Sequence, residues 1–191
     1  MRSSQESGTT KGFNTAAWQE VRFDSDPACA PDILGTIVDM SAVPDASVEA
    51  IFSSHSIEHV YAHEVPKVLK EFWRILADDG FVVLTCPDLQ SVCQEVARGR
   101  LLEPLYTSDA GSITALDILY GHRPSLAAGK DQMAHKCGFT YAALAGSFLS
   151  CGFRKVYGGR RPHAFDLWIV ACKQDKSEAE LSQLAAEHLP A

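Results

Sequence analysis

The 191-residue chain has no apolar run near the roughly 20 residues that a membrane-spanning helix needs. Its opening, MRSSQESGTTKG, lacks the apolar centre of a secretory signal peptide. Together these absences set the expectation of a cytoplasmic protein with no membrane partner. Basic residues are in deficit, with 17 Lys and Arg against 24 Asp and Glu and a net charge of -7. That balance argues against non-specific binding to nucleic acid. None of the six cysteines forms a C-x-x-C pair: Cys29, Cys86, Cys93, Cys137, Cys151 and Cys172 are scattered, several of them inside apolar runs. Reduced, partly buried thiols fit this better than a disulfide framework. No internal repeat or linker interrupts the chain. What is present is ordinary for a globular protein, 46% hydrophobic and 21% charged, and the length suits one domain with a proper core.

The informative stretch is residues 50–87, AIFSSHSIEHVYAHEVPKVLKEFWRILADDGFVVLTCP. A short apolar run ends in Ser53, Ser54 and His55. Val65, Val68, Leu69, Phe72, Ile75 and Leu76 then recur at spacings of three and four, the apolar stripe of a helix. Pro66 suits its first turn and Asp78-Asp79-Gly80 its end. The apolar run 81–86 reads as a strand buried on both faces. Strand, polar loop, helix and strand make a parallel crossover, and in open α/β sheets ligands bind at the carboxyl ends of such strands.

The pattern continues on either side. Residues 20–23 and 32–38 are strand candidates, the second leading into Asp39, and a turn at 44–47 precedes a strand at 48–52. Short helices are expected at 89–97 and 114–120, with Thr114 and Asp117 as a capping pair. Residues 121–138 are loop-like and carry His122, Arg123, Lys130, His135 and Lys136. A segment of that length inside a domain is usually functional or mobile, so 88–139 reads as a lid or substrate insertion. Thr140 caps a helix through 149. Residues 153–157, a Gly158-Gly159 turn and 164–172 form a terminal hairpin. The tail from 175 is a charged helix with Leu181, Leu184 and Leu189, able to dock on the body or to pair two subunits as a homodimer. Residues 1–18, rich in Ser, Thr, Gly and Asn, form an irregular start. The whole of 1–191 reads as one α/β domain.

Five motifs carry a resemblance: VRFDSDP (21–27), PDILGTIVDM (31–40), SVEAIFSSHSIEHV (47–60), VPKVLKEFWRILADDGFVVLTCPDLQ (65–90) and MAHKCGFT (133–140). The chain resembles class I S-adenosylmethionine-dependent methyltransferases, in particular their small bacterial methyltransferase-like domains. The resemblance implies a Rossmann-like, three-layer αβα fold with a mostly parallel sheet, strand order 3-2-1-4-5-7-6, and a C-terminal antiparallel hairpin. It also implies S-adenosylmethionine as cofactor and a small-molecule or macromolecular methyl acceptor. Asp24 would accept hydrogen bonds from the ribose hydroxyls, a task that suits an acceptor-only carboxylate. Asp39 and Met40 would border the adenine, Ser54 and His55 would face the methionine moiety and the transferring methyl, and Asp88 would line the same crevice. The family's first strand enters a GxGxG loop. Here the matching stretch is residues 2–12, where Gly8 stands at the loop and no apolar strand precedes it. The first strand is therefore expected to be missing or irregular.

Three functions stay open on these residues. The leading one is methyl transfer, with His55 or His135 as an assisting base and no metal. The second is a non-catalytic interaction module that has lost cofactor binding, which the degenerate start favours. The third is a metal-dependent hydrolase, because His55-Ser56-Ile57-Glu58-His59 matches H-x-x-E-H. On a single helix His55, His59 and His63 would share a face; if His55 ends a strand, they would not.

Overall fold

Near-continuous apolar runs at 81–86 and 167–172 form the centre of the sheet, buried on both faces. A computed structural model describes residues 10–190. The chain runs through β1 (Phe23–Asp24), β2 (Ile33–Leu34), β3 (Val48–Ser54), α1 (Val65–Ile75), β4 (Leu76–Pro87) and α2 (Leu89–Ala97). It continues through β5 (Pro104–Ser108), β6 (Gly111–Thr114), α3 (Ala115–Tyr120), α4 (Arg123–Ala127), α5 (Tyr141–Ser150), β7 (Lys155–Arg161), β8 (Asp166–Cys172) and α6 (Glu178–His188). The central sheet has the order β3-β4-β8-β7. β3 and β4 pair in parallel, and β8 runs antiparallel to both of its neighbours. β3, β4 and β7 thus share one direction and β8 alone opposes them.

This is the 4-5-7-6 half of the expected strand order. The other half takes a different form: β1 and β2 make a separate parallel pair of two residues each, and β3 is an edge strand among the described residues. The strand expected over 32–38 is cut short for local reasons. Gly35 lies against the Phe23 ring, so close that an added Cβ would come within 2.5 Å of Cζ. The chain then turns at Thr36, whose carbonyl accepts the Asp39 amide at 2.8 Å.

Val82, Leu84 and Cys86 of β4 and Leu167, Ile169 and Ala171 of β8 face one side, where Leu69, Phe72 and Ile75 of α1 and Leu144 and Phe148 of α5 cover them. The alternate residues Phe81, Val83, Val170 and Cys172 face the other side, under Leu181 and Leu184 of α6 and under Phe13 and Trp18. The result is the three-layer αβα arrangement. Burying a ring such as Phe72 or Phe148 contributes about 1.5–3 kcal/mol. The described part of the irregular start is therefore packed: Phe13 stacks on Phe81 with centroids 6.0 Å apart. The charged tail docks on the body through α6, which begins with a capping box between Ser177 and Glu180.

Helix caps fall where expected. Thr114 and Asp117 form a capping box at α3 and Thr140 caps α5, while Asp88, expected in the crevice, caps α2. Two boundaries differ. α1 stops at Ile75, because Leu76 crosses to pair with Val48 and its carbonyl accepts from the buried Lys173 ammonium at 2.7 Å. Asp78-Asp79-Gly80 lies in the register shift that follows, where 77–80 have no partner on β3. The second difference is in the hairpin: Gly158 and Gly159 sit mid-strand in β7, and the turn is at 162–165. Gly158 has φ +152, and a Cβ there would lie 2.0 Å from the Trp168 carbonyl oxygen. That glycine serves a close approach of strands.

The β5–β6 hairpin was not expected, since its mostly exposed strands carry little apolar alternation. With α2 and α3 it closes a small second core of Val92, Ile113, Ala115 and Ile118. Residues 121–138 hold only α4 and a single 3-10 turn. No described helix is long and apolar enough to cross a membrane.

Candidate functional site

β3 ends by handing the chain to His55, whose φ is +48 and whose amide still donates to the Thr85 carbonyl at 3.0 Å. The left-handed residue turns the backbone out of the sheet, and a 3-10 turn at Ile57–His59 follows. That turn sends Glu58 inward, where it is 1% exposed. His55 Nδ1 lies 3.2 Å from Glu58 Oε1, while Glu58 Oε2 is buried with no hydrogen-bond partner. The bond to Glu58 raises the His55 pKa above its ordinary value, against the opposing effect of desolvation.

The segment after α4 is clamped onto this turn. The Glu58 carbonyl accepts the amides of Lys136 at 2.8 Å and Cys137 at 3.3 Å. His59 Nδ1–H donates to the Ala134 carbonyl at 3.1 Å and His135 Nδ1–H to the Ile118 carbonyl at 2.7 Å. The two rings meet edge to face with centroids 4.9 Å apart. Burial lowers the His135 pKa, opposed by its bond to Ile118.

His55, Glu58, His59 and His135 line a crevice of about 380 Å³ at the carboxyl ends of β3 and β4. His122, Asp117, Asp166 and Tyr106 add polar groups, and Ile113, Ile118, Met133 and Phe165 supply apolar wall. Burial acts to raise the Asp117 carboxyl, but hydrogen bonds from Arg123 and Thr114 outweigh it and hold the group well below the usual carboxylate range. The volume lies within the usual span of small-molecule pockets, roughly 300–1,000 Å³.

Of the residues singled out in the sequence, His55 and His135 come together in this crevice. Ser54 is exposed at the end of β3, beside His55. Asp24 is exposed at the end of β1, where Oδ1 accepts the Asp26 amide at 2.8 Å. Asp39 is exposed too, its pKa lowered by hydrogen bonds from Ser41. Met40 lies in the main core, 5% exposed, with its amide on Glu71. Asp88 is fully buried, spent on capping α2 and on an ion pair with Arg160 at 2.8 Å. Gly8 lies outside the described residues. The chain from 55 to 63 is not one helix, and His63 stacks on Tyr61 rather than joining the other imidazoles. All six cysteines are free thiols; Cys86 is buried, which pushes its pKa well up, and Cys93 is exposed on α2. Sequence reading missed Asp117, Tyr106 and Asp166 as crevice groups. Asp117 had shown itself only as a cap.

A family model described as "Methyltransferase domain" matches residues 10–84, from the packed start through most of β4. The match covers less than half of the chain, and it makes that part similar to methyltransferase domains. Among solved structures, a SAM-dependent methyltransferase from Methanosarcina mazei is 16% identical, with 75% of this chain and 66% of that one covered and a TM-score of 0.47. One from Thermotoga maritima is 15% identical, with 82% and 84% covered and a TM-score of 0.44. The 1,6-didemethyltoxoflavin-N1-methyltransferase of Burkholderia thailandensis, solved with bound 1,6-didemethyltoxoflavin and S-adenosylhomocysteine, is 13% identical, with 75% and 50% covered and a TM-score of 0.44. Against the first three structures the matched part spans only 35% to 66% of the other chain. No curated protein matches the chain.

Proposed function

We propose that the protein is an S-adenosylmethionine-dependent methyltransferase that acts in the cytoplasm on a small-molecule acceptor seated in the crevice over β3 and β4. The observation that most supports this is the meeting of His55 and His135 at the carboxyl end of the parallel β3–β4 pair, in a chain whose residues 10–84 match a methyltransferase domain.

The residues present suit the cofactor in the half of the site that is described. Ser53 Oγ and Thr85 Oγ1, near the ends of β3 and β4, are buried hydroxyls without hydrogen-bond partners. Asp24 offers an exposed carboxylate for the ribose, and Asp39 with the Met40 backbone borders the adenine. Gly8 keeps the glycine-loop role in this reading. Asp88 acts from beneath, fixing the wall of the crevice through Arg160.

The bound donor supplies a sulfonium methyl open to in-line attack by oxygen, nitrogen or carbon. The protein's part is positioning and exclusion of water. His55, its proton affinity raised by Glu58, takes the proton of an acceptor that must lose one. His135, kept neutral by burial, orients the acceptor.

A second reading, a non-catalytic interaction module, has support of its own. β3 is an edge strand among the described residues, and such an edge can pair with another chain. Titration with S-adenosylhomocysteine, followed by calorimetry and thermal unfolding, separates the two. A ligand at 100 times its Kd raises stability by about 2.7 kcal/mol. No heat and no shift at millimolar ligand would overturn the enzyme reading in favour of the module.

A further inference from the structure

Glu58, His59 and His135 each present a donor atom, and the three atoms lie within 4.8 Å of one another. We propose that these three side chains bind a first-row divalent metal ion, of which zinc is the natural probe. The set differs from the H-x-x-E-H reading of the sequence: His135 takes the place of His55, and the site is made by tertiary structure instead of one helix.

The first argument is the carboxylate. Glu58 is 1% exposed, Oε1 is taken by His55, and Oε2 is buried with no partner. A buried carboxylate oxygen left unpaired is costly, and native structures satisfy such groups with a hydrogen bond, an ion or a metal. A cation between Oε2 and the two imidazoles removes the deficit.

The second argument is the tautomers. A carbonyl oxygen can only accept, so the contacts to Ala134 and Ile118 fix the proton of His59 and of His135 on Nδ1. Nε2 of each ring then carries the free lone pair. Metal-binding histidines are held in this way, by the other ring N–H on a backbone carbonyl or carboxylate. Burial of His135 favours the neutral, ligating form.

The third is preorganisation. The amides of Lys136 and Cys137 on the Glu58 carbonyl hold the two segments together without metal. Zinc bonds of about 2.0–2.2 Å put neighbouring ligand atoms roughly 3.3–3.5 Å apart, so small side-chain adjustments close the site. Three protein ligands leave a fourth position, and the cluster lines the crevice. An imidazole and carboxylate set suits zinc and its first-row neighbours over calcium or magnesium. An acceptor hydroxyl on that fourth position would lose its proton more readily.

The proposal goes beyond methyl transfer and stands without it, so its test uses metal alone. The purified, untagged full chain, stripped of metal, is titrated with zinc sulfate by calorimetry, and separately with cobalt(II) read by visible absorption. One equivalent should bind, with cobalt bands of four- or five-coordinate type. His59→Asn and His135→Asn keep a side-chain N–H for the carbonyl while removing Nε2. Each should weaken zinc by about 100-fold or more, at or beyond the upper range for losing an outer-shell partner, with circular dichroism unchanged. His63→Asn should bind as the parent does. Absence of stoichiometric binding, or binding that survives both ligand variants, overturns the proposal. If a ligand variant fails to fold, Glu58→Gln and the cobalt spectrum of the parent decide it: octahedral bands, or unchanged affinity in Glu58→Gln, would overturn it.

Discussion

Arg160 Nε donates to Asp88 Oδ2 across 2.8 Å, joining β7 to the N-cap residue of α2. Asp88 is fully buried and also accepts the Gln90 amide at 3.1 Å, while Arg160 is part-exposed. The partners are therefore unequal. Arg160→Met strands a buried carboxylate and should destabilise by about 3 kcal/mol, in the range for breaking a buried pair. Asp88→Asn keeps a good cap and leaves a cation that can reach water, so it should cost less. Urea midpoints of the two variants check this, and the reverse order would refute it.

Gly158 and Gly159 are adjacent in β7 but meet different surroundings. A Cβ at 158 would lie 2.0 Å from the Trp168 carbonyl oxygen at φ +152, and a Cβ at 159 meets nothing within 4 Å. Gly158→Ala should destabilise by about 2 kcal/mol or more and Gly159→Ala by under about 0.5 kcal/mol. Thermal unfolding of the pair reads the difference directly. Equal effects would mean the glycines share a role, as the turn reading of the sequence supposed.

That misreading shows what a sequence carries. Caps are local chemistry, so Thr114 with Asp117 and Thr140 announce helix starts within four residues, and the α1 stripe is visible because its period is. A glycine pair has two physical uses, turn or close approach, and only the partner strand decides between them. The mostly exposed β5–β6 hairpin carries little periodic signal at all. In the site, His55 was legible as the end of a strand. The meeting of Glu58 and His59 with His135 was not, because it depends on where the segment after α4 lands. The separate β1–β2 pair was foreshadowed only by the polar start, whose described part fills the sheet face with Phe13 and Trp18.

His188 ties that start to α6. It is 2% exposed, its Nδ1 lies 2.7 Å from Thr10 Oγ1, and its ring meets Phe13 at 4.3 Å and Phe81 at 5.2 Å. Burial lowers its pKa below the ordinary 6.5, with Glu187 opposing. The folded state thus binds this proton less readily than the unfolded state does. Its penalty is absent above the ordinary histidine pKa and grows as pH falls below it. His188→Gln should flatten the loss of thermal midpoint between about pH 7.5 and about pH 5 relative to the parent. A parallel fall in both proteins would show that His188 does not contribute to acid sensitivity.

Asp24 offers the sharpest check on the cofactor. One carboxylate oxygen holds the Asp26 amide in the turn before Pro27, and the residue is exposed at the end of β1. If the carboxylate receives ribose hydroxyls, its loss removes charge-assisted bonds worth about 1.5–3 kcal/mol, or roughly 10- to 150-fold in affinity. Asp24→Ala should weaken S-adenosylhomocysteine by that factor in calorimetry while shifting the ligand-free midpoint little, since the turn is on the surface. Asp24→Asn keeps the turn acceptor and should fall between. A fall in ligand-free stability with unchanged affinity would make Asp24 a turn former only, and the ribose would need another acceptor.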